Sequence, residues 1–329
     1  MIRQGYCPVT RRGLIRLAAP AVLAAGMLPG VARAEGKRLA YLTPGLDLPF
    51  WRILSKGIEA EAKRNGAVAT TYDSHNSAQT QLQNAQDAIA KRVDGLIISP
   101  TDSSTAPSVL ALAKRAGIPV VIADIGTTGG EYVSFIISDN EQGAYGTGQA
   151  LARAMKAKGW EKGTVGLVTI SLARKNGQAR TNGFKKALAE AGIRDVALSQ
   201  MQTYTADETF KFVQDMLTAH PDMRGLFVET DQPAIGALRA LKAARRDKDV
   251  LLAAFDGIPD FIQLIESGQI VASGMQQPYL MGENAARSMF AHFAGKTPEK
   301  TITVPILVVD QANVRKLEPT VRETVFGEA

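Results

Sequence analysis

The chain has 329 residues, with 38 lysines and arginines against 32 acidic residues and a single cysteine. Five of the basic residues and no acid lie in residues 1–34, so the remaining 295 residues are almost neutral. That balance excludes a nucleic-acid-binding face, which needs a surplus of basic side chains to neutralise phosphates. A chain of this length is sufficient for two lobes, each with its own core.

The N-terminal segment 1–34 has the pattern of an export signal. Arg11 and Arg12 precede the apolar stretch 17–28, which is too short to span a bilayer stably, and residues 32–34 form a small-x-small cleavage site. The arginine pair resembles the twin-arginine export motif, with Leu14 at the position of the usual Phe. A general secretory signal or an uncleaved membrane anchor is an alternative. We expect a periplasmic protein with no membrane insertion once the signal is removed.

The sequence offers no pattern typical of an enzyme or a metal site. Cys7 lies within the export signal, so the mature chain has no thiol for catalysis or for a disulfide. His75, His220 and His292 are scattered and do not have metal-ligand spacing. Neither a P-loop nor a dinucleotide-binding glycine motif follows a strand, and the glycine-rich stretch 143–148 falls inside a helical pattern, which favours close packing. We therefore expect no cofactor, no metal and no enzymatic activity.

The first part of the mature chain alternates short apolar runs with amphipathic helical patterns. Strands are predicted at residues 37–43, 68–73, 95–98 and 119–123, with helices at about 50–65, 82–93 and 103–116. Repetition of strand, helix and strand predicts a parallel sheet with helices on both faces.

The same alternation restarts after residues 138–140. It predicts a helix through 151–155 and then strands at 164–170, 196–202, 225–228 and 250–255, separated by helices that contain 184–191, 210–217 and 235–241. A short helix after Pro259, a strand at 270–274, a helix at 279–293 and an extended piece at 301–309 complete the chain. The predicted fold class is α/β, with two doubly wound parallel-sheet lobes and a cleft between them.

Residues 250–255 are the most informative of the predicted strands. This uninterrupted apolar run indicates a strand that is buried on both faces, and it stops at Asp256, before Gly257 and Pro259. Ligands of open α/β sheets bind at the carboxyl ends of the strands, which is where this acid lies. The alternative is that Asp256 caps a helix that starts near Pro259.

Similar polar residues follow other predicted strands, and aromatic residues lie in nearby loops. Carboxylates and amides bind vicinal hydroxyl groups, and an aromatic ring covers the C–H face of a sugar, so this combination suits a neutral ligand rich in hydroxyls. The candidates are Asp47, Asp124, Asp139, Asp231, Asp256, Arg180, Gln276, Phe50, Trp51 and Tyr204. Three of them have structural alternatives: Asp231 as a helix N-cap, Asp47 as a turn former and Trp51 as a core residue.

Several segments, in the same order along the mature chain, resemble the periplasmic sugar-binding proteins of the ribose-binding type. The segments are Pro49-Phe50-Trp51, Ser99 to Ser103, Gly117 to Val120, Ser138-Asp139-Asn140, Gly236 to Leu241 and Phe255-Asp256-Gly257. The resemblance implies two lobes, 35–138 with 277–305 and 139–276 with 306–329. It also implies three crossovers that form a hinge, near Ser138, Gln277 and Pro305.

The resemblance also assigns roles to individual residues. It places Phe50 and Tyr204 on opposite faces of the ligand ring and makes Asp124 and Asp256 acceptors for ligand hydroxyls. Asn140 is expected at the lobe junction. The resemblance also implies that Gln276 reaches in from the hinge and that Arg180 lies near the pocket.

Other positions depart from the pattern of ribose binders. Gln178 stands where a second arginine is usual, Ser99 and Thr230 stand where asparagines are usual, Leu48 replaces an asparagine and Ile125 replaces a basic residue. The loss of these donors argues against ribose. A different pentose, a deoxy sugar, a hexose or a linear polyol suits the less basic pocket. The predicted ligand-binding residues are twelve: Asp47, Phe50, Trp51, Ser99, Asp124, Asn140, Gln178, Arg180, Tyr204, Thr230, Asp256 and Gln276.

The sequence thus predicts a monomeric solute-binding protein that captures a sugar or polyol and delivers it to the permease of an ABC transporter. One rival is a periplasmic sensor that presents a ligand-dependent shape to a membrane receptor or histidine kinase. Another is a glycosidase with Asp124 and Asp256 as acid and base.

Overall fold

Residues 36–328 are described by the computed structural model. The predicted export signal and Cys7 lie outside these residues. The strands are β1 (Arg38–Thr43), β2 (Val68–Asp73), β3 (Gly95–Ile98), β4 (Val120–Ala123), β5 (Ser134–Ser138), β6 (Thr164–Thr169), β7 (Arg194–Gln200), β8 (Met223–Val228), β9 (Leu251–Phe255), β10 (Ala272–Met275), β11 (Thr301–Val304) and β12 (Leu307–Asp310). The helices are α1 (Pro49–Arg64), α2 (Ala78–Ala90), α3 (Ala106–Arg115), α4 (Asn140–Ala157), α5 (Lys175–Glu190), α6 (Ala206–Ala219), α7 (Asp231–Ala243), α8 (Asp260–Glu266), α9 (Pro278–Phe293) and α10 (Val314–Thr324).

The strands form two sheets of six, and each sheet is the centre of one lobe. The first sheet has the order β11-β5-β4-β3-β1-β2 and is parallel throughout. The second has the order β12-β10-β9-β8-β6-β7 and is parallel except for β12, which pairs antiparallel with β10 at the edge. The predicted α/β class with two parallel-sheet lobes is confirmed.

Each sheet is buried on both faces, as continuous apolar strands predict. In β1, Leu39 and Tyr41 enter the core beneath α1 and α9. The alternate residues Ala40 and Leu42 enter the core beneath α2 and α3. The second sheet is likewise packed between two clusters, because successive side chains of a strand point to opposite faces.

The chain passes between the two sheets three times. It leaves the first sheet after β5 and enters the second through α4, which packs against β9 and β10. It returns after β10 through α9, which packs on α1, and then adds β11 to the first sheet. The last passage is the two-residue link Pro305–Ile306 between β11 and β12. Three such connections between two lobes form a hinge.

Two close approaches between helices depend on glycine. A Cβ on Gly57 of α1 would meet the Tyr279 carbonyl oxygen of α9, and one on Gly282 of α9 would meet the Leu54 carbonyl oxygen of α1. In α4, a Cβ on Gly143 would lie 2.7 Å from the Ile306 side chain. The interpretation of the glycine-rich stretch 143–148 as helix packing is therefore confirmed.

The structure differs from the predicted elements in three places. The predicted extended piece 301–309 is two strands that belong to different sheets, because the link at Pro305 carries the chain across. Strand β5 and helix α10 were not predicted; α10 contains Pro319, which is atypical of a helix interior. None of the helices within residues 36–328 combines the length and the apolar character that crossing a membrane requires.

Candidate ligand-binding site

The carboxyl ends of strands from both sheets converge on one enclosed cavity. Residues that directly follow β4, β6, β9 and β10 line it, together with the start of α1 and one face of α5. The lining residues are Leu48, Phe50, Trp51, Asp124, Ile170, Arg174, Asn176, Arg180, Tyr204, Thr230, Asp256 and Gln276. A wider surface cavity of about 510 Å³ in the first lobe has Lys114, Glu131 and Lys296 as its charged residues, and all three are exposed. The enclosed cavity is the better candidate because its charged side chains are buried and face one another.

Two aspartates occupy equivalent places in the two sheets. Asp124 follows β4 and Asp256 follows β9, and both have positive φ, of 66° and 58°. Each N–H still bonds to the adjacent strand: Asp124 to the Ile136 carbonyl at 2.8 Å and Asp256 to the Gly274 carbonyl at 2.9 Å. The left-handed bend therefore comes at the last ladder bond, a sparsely populated backbone conformation that folded proteins concentrate at functional sites.

A chain of hydrogen bonds connects the two aspartates across the cavity. Asp124 accepts from Asn176 Nδ2 at 2.9 Å and from Gln276 Nε2 at 2.7 Å. Gln276 in turn accepts from Arg180, which donates to Asp256 Oδ2 at 3.3 Å. These five side chains form the polar part of the cavity, called the polar set below.

The two carboxylates differ in how completely they are satisfied. Both oxygens of Asp124 accept hydrogen bonds, whereas Asp256 Oδ1 is buried without a partner. Burial raises the pKa of Asp256 to about 7; the Arg180 guanidinium opposes the shift, and the neighbouring Asp231 and Asp124 charges add to it. Burial also raises the pKa of Asp124 above its ordinary value, against Arg180 and its amide partners. An unpartnered acceptor at this depth is suited to a hydroxyl donated by a ligand.

Arg180 is held in place by groups behind the cavity wall. Its Nε donates to Asn140 Oδ1 at 2.8 Å and its NH1 to the Glu229 carbonyl at 2.8 Å, and its guanidinium lies 4.1 Å from the Phe255 ring centroid. Glu229 is fully buried and accepts from Thr181 and from the Ile170 N–H. Burial raises the pKa of Glu229 to about 8. Glu229 is thus a further buried acid, and it lies behind Arg180 as seen from the cavity.

The rest of the cavity wall is largely apolar. Phe50 and Trp51 pack edge to face, with ring centroids 4.7 Å apart. Ile170 and Tyr204 belong to the core of the second lobe, and Leu48 packs against both that core and the core containing Phe50 and Trp51. These five residues form the apolar set.

Polar contacts from α5 and the residue before it hold the lobes together. Arg174 Nε donates to the Thr101 carbonyl at 2.9 Å and its NH2 to Asn76 Oδ1 at 2.7 Å. Its guanidinium lies 5.0 Å from the Tyr204 ring centroid. Lys175 Nζ donates to the Thr127 carbonyl at 3.0 Å. All of these bonds run from the second lobe to the first.

The cleft is closed in this conformation. The cavity volume is about 30 Å³, which admits roughly two water molecules and no sugar. A second cavity of about 660 Å³, more open to solvent, shares Leu48, Trp51, Arg174 and Tyr204 with it. These four side chains therefore separate the inner cavity from the outer one, and a sugar can enter only if the lobes move apart.

Eight of the twelve site residues predicted from the sequence line the inner cavity. They are Phe50, Trp51, Asp124, Arg180, Tyr204, Thr230, Asp256 and Gln276. Trp51 lines the cavity and is also a core residue, at 5% exposure. Asp256 does not cap a helix: the N-cap position of α8 is Pro259, which has no side-chain cap bond. Asp231 is the first residue of α7 and not its N-cap, which is Thr230.

The other four predicted residues do not line it. Asp47 is exposed, faces the outer cavity, and accepts from Arg52 through its carbonyl. Ser99 is buried against the Tyr41 hydroxyl, at 3.0 Å. Asn140 lies behind Arg180. Gln178 is exposed and donates to the Leu172 carbonyl, because it lies about 200° around α5 from Arg180.

Five residues of the site were missed as site residues. Asn176 precedes Arg180 by four positions, so helical periodicity places it on the same face, and this signal was available. Glu229 follows the apolar strand β8 directly, which is the pattern that identified Asp256. Leu48 stands where ribose binders have an asparagine, so the resemblance also carried a signal for it. Ile170 and Arg174 have no comparable signal, because their role depends on how the lobes meet. Among residues 36–328, no cluster of histidine, cysteine and acidic side chains is arranged to hold a metal ion.

Comparison with known proteins gives consistent matches over both lobes. A family profile described as periplasmic binding protein domain matches residues 39–297. The ribose import binding protein of Escherichia coli strain K12 is 32% identical over 274 residues, which are 83% of this chain and 90% of the relative. The D-apiose import binding protein of Paraburkholderia graminis is 31% identical over 297 residues, 88% of this chain and 92% of the relative. A carbohydrate transporter solute binding protein from Agrobacterium radiobacter, solved with D-arabinose, superposes with a TM-score of 0.82 at 23% identity and covers 89% of this chain and 100% of that one.

Proposed function

Since the chain belongs to the periplasmic binding protein family, among the sugar-binding receptors of ABC importers, we propose that it captures a neutral sugar or polyol in the cleft between its two lobes. In the periplasm, the closed, loaded protein then delivers the ligand to the permease of an ABC transporter. The relatives named above are binding proteins, and we propose no catalytic step for this chain.

The observation that carries the proposal is the convergence of two strand-end carboxylates, one from each lobe, on one buried space beside aromatic rings. Asp124 and Asp256 accept hydrogen bonds, Asn176, Arg180 and Gln276 donate them, and their atoms are buried. Phe50 and Tyr204 supply flat apolar surface. A polyhydroxylated ligand needs this mixture, because its hydroxyls both donate and accept while its C–H faces pack on rings.

Binding and closure are coupled in this arrangement. The ligand contacts both lobes only when the hinge is closed, so it shifts the population toward the closed state by the difference in its affinity for the two states. The apparent stability should then rise with free ligand, by about 2.7 kcal/mol at a hundredfold excess over the dissociation constant.

A panel of candidate ligands tests the proposal. We expect the melting temperature of the purified protein to rise with at least one pentose, hexose, deoxy sugar or linear polyol, in proportion to the logarithm of its concentration. Amino acids and dicarboxylates serve as controls and should cause no shift. A response to those controls and to none of the sugars or polyols would contradict the proposed function.

A further inference from the structure

Ten of the twelve residues that line the cavity fall into two sets, and the other two are Arg174 and Thr230. The polar set, Asn176, Asp124, Gln276, Arg180 and Asp256, is joined by hydrogen bonds from one side chain to the next. The apolar set, Leu48, Phe50, Trp51, Ile170 and Tyr204, is joined by packing contacts. A ligand in this cavity therefore meets hydrogen-bonding groups along one edge and mostly carbon along the other.

The apolar edge is built by both lobes. Leu48, at the start of α1, packs against the core of the second lobe that contains Ile170 and Tyr204. Each lobe also contributes to the polar edge, through Asp124 and Asp256. Closure therefore places the apolar side chains of the two lobes against each other and the polar side chains of the two lobes against each other. A ligand held between the closed lobes has to match this arrangement.

Hydroxyl groups have few partners on the apolar edge. The side chains of Leu48 and Ile170 neither donate nor accept. The Ile170 N–H is already bonded to Glu229 Oε2 at 3.1 Å, and the Tyr204 hydroxyl accepts from the Ser171 N–H at 3.2 Å. The donors that remain on this edge are the Tyr204 hydroxyl proton and the Trp51 indole N–H, and neither belongs to the side chains of Leu48 and Ile170. A sugar or linear polyol with a hydroxyl on every carbon would bury at least one of them against these side chains, and a buried hydroxyl without a partner lowers affinity.

We propose that the ligand is a deoxy sugar, bound with its methyl or methylene group against Leu48 and Ile170 and its hydroxylated edge against Asp124 and Asp256. This inference rests on the proposed function and narrows it to one class of sugar. Leu48 and Ile170 are then the residues that determine specificity, while the two aspartates supply the affinity common to all sugars.

Matched pairs of sugars test the inference by calorimetric titration of the purified protein. The pairs are L-fucose with L-galactose, L-rhamnose with L-mannose, and 2-deoxy-D-ribose with D-ribose; each pair differs by one hydroxyl. We expect the tightest ligand of the six to be a deoxy sugar that binds about tenfold to a hundredfold more tightly than its parent.

The outcomes separate this inference from the proposed function. A parent sugar that binds as tightly as its deoxy partner, or more tightly, overturns the inference and leaves the proposed function standing. Failure of all three deoxy sugars to bind at millimolar concentration also overturns it. The proposed function fails only if the wider panel of sugars and polyols gives no response.

Substitution of Leu48 provides a second test. Leu48 occupies the N-cap position of α1 with extended backbone (φ −86°, ψ 136°), where asparagine is favoured, so L48N should fold. Its amide gives the parent sugar a partner, and the ratio of parent to deoxy dissociation constants should fall about fivefold or more. The control L48M keeps the edge apolar and should keep the wild-type ratio. An unchanged ratio in L48N would overturn the assignment of this edge.

Discussion

The two strand-end aspartates occupy matching positions in the two lobes, yet their surroundings differ. Asp124 in the first lobe accepts from Asn176 of the second lobe and from Gln276 at the hinge. The Asp256 side chain in the second lobe accepts one bond, from Arg180, and its Oδ1 has no partner. Both lobes therefore have an aspartate with left-handed backbone after a buried strand, but the two carboxylates have different hydrogen-bond partners.

The difference in partners indicates that the two aspartates have different roles. Asp124 is bonded by the protein itself and links the lobes in the closed state, whereas Asp256 retains an acceptor for the ligand. Removal of the first should therefore affect closure and stability, and removal of the second should affect mainly binding.

The largest expected effect is on ligand affinity in D256N. The amide keeps the shape of the side chain but removes the charged acceptor, so binding of the best sugar should weaken by about 1.5 to 3 kcal/mol. The stability of the ligand-free protein should not fall, because an incompletely paired buried carboxylate is removed. Titration calorimetry and urea unfolding measure the two quantities; full affinity in D256N would contradict the assignment.

The next effect is a loss of stability at alkaline pH that originates in the second lobe. Burial raises the pKa values of Asp256 and Glu229 to about 7 and about 8, so the folded protein holds protons that the unfolded chain has lost. Their contribution is fully present below about pH 4, and it is lost as the pH rises through 7 and 8. The free energy of unfolding without ligand should be about 2 kcal/mol lower at pH 7.5 than at pH 6.5.

Urea unfolding at the two pH values measures this difference. E229Q should remove a large part of it, while E323Q, a change at an exposed glutamate of α10, should leave it unchanged. Equal stability of the wild-type protein at both pH values would show that these acids are ionised in the folded state.

A smaller effect distinguishes D124N from D256N. In D124N one of the two donors, Asn176 or Gln276, must face an amide nitrogen, so the ligand-free protein should lose about 1 to 2 kcal/mol of stability. The double variant D124N/N176D exchanges donor and acceptor and should recover most of the loss in thermal unfolding. If D124N is as stable as the wild type, the contrast between the two aspartates is wrong.

The smallest effect concerns the contacts between the lobes around Arg174. R174A removes the bonds to Thr101 and Asn76, so the ligand-free protein should open more often. Its radius of gyration in small-angle X-ray scattering should increase, and ligand affinity should fall by about 1 kcal/mol or less. R153A, at an exposed arginine of α4, is the matched control. A radius unchanged in R174A would mean that these bonds do not hold the cleft closed.

Much of this organisation could be predicted from local sequence, because each sheet strand is a short apolar run and each run is followed by a helix. The positions of Asp124 and Asp256 follow from the same pattern. Ser99 also follows such a run, yet its side chain bonds to Tyr41 and not into the cavity. Both aspartates have positive φ and Ser99 does not, whereas Gln276 follows β10 and lines the cavity without positive φ. Sequence pattern alone therefore does not determine which strand ends face the cavity.

Other features depend on contacts between distant parts of the chain. The resemblance to related proteins points to Gln178, whereas the helix period places Asn176 on the same face as Arg180. Leu48, Ile170 and Arg174 reach the site only because the lobes close on each other. Strand β5 pairs with β11, more than 150 residues away, and this non-local pairing is invisible in a local window.

A crystal structure of the protein with its best-binding sugar tests the central claim most directly. We predict that the sugar lies between the lobes, with a hydroxyl oxygen about 2.5 to 3.0 Å from Asp256 Oδ1 and only carbon against Leu48 and Ile170. A sugar bound outside the cleft, or one that leaves Asp256 Oδ1 without a partner, would contradict the account.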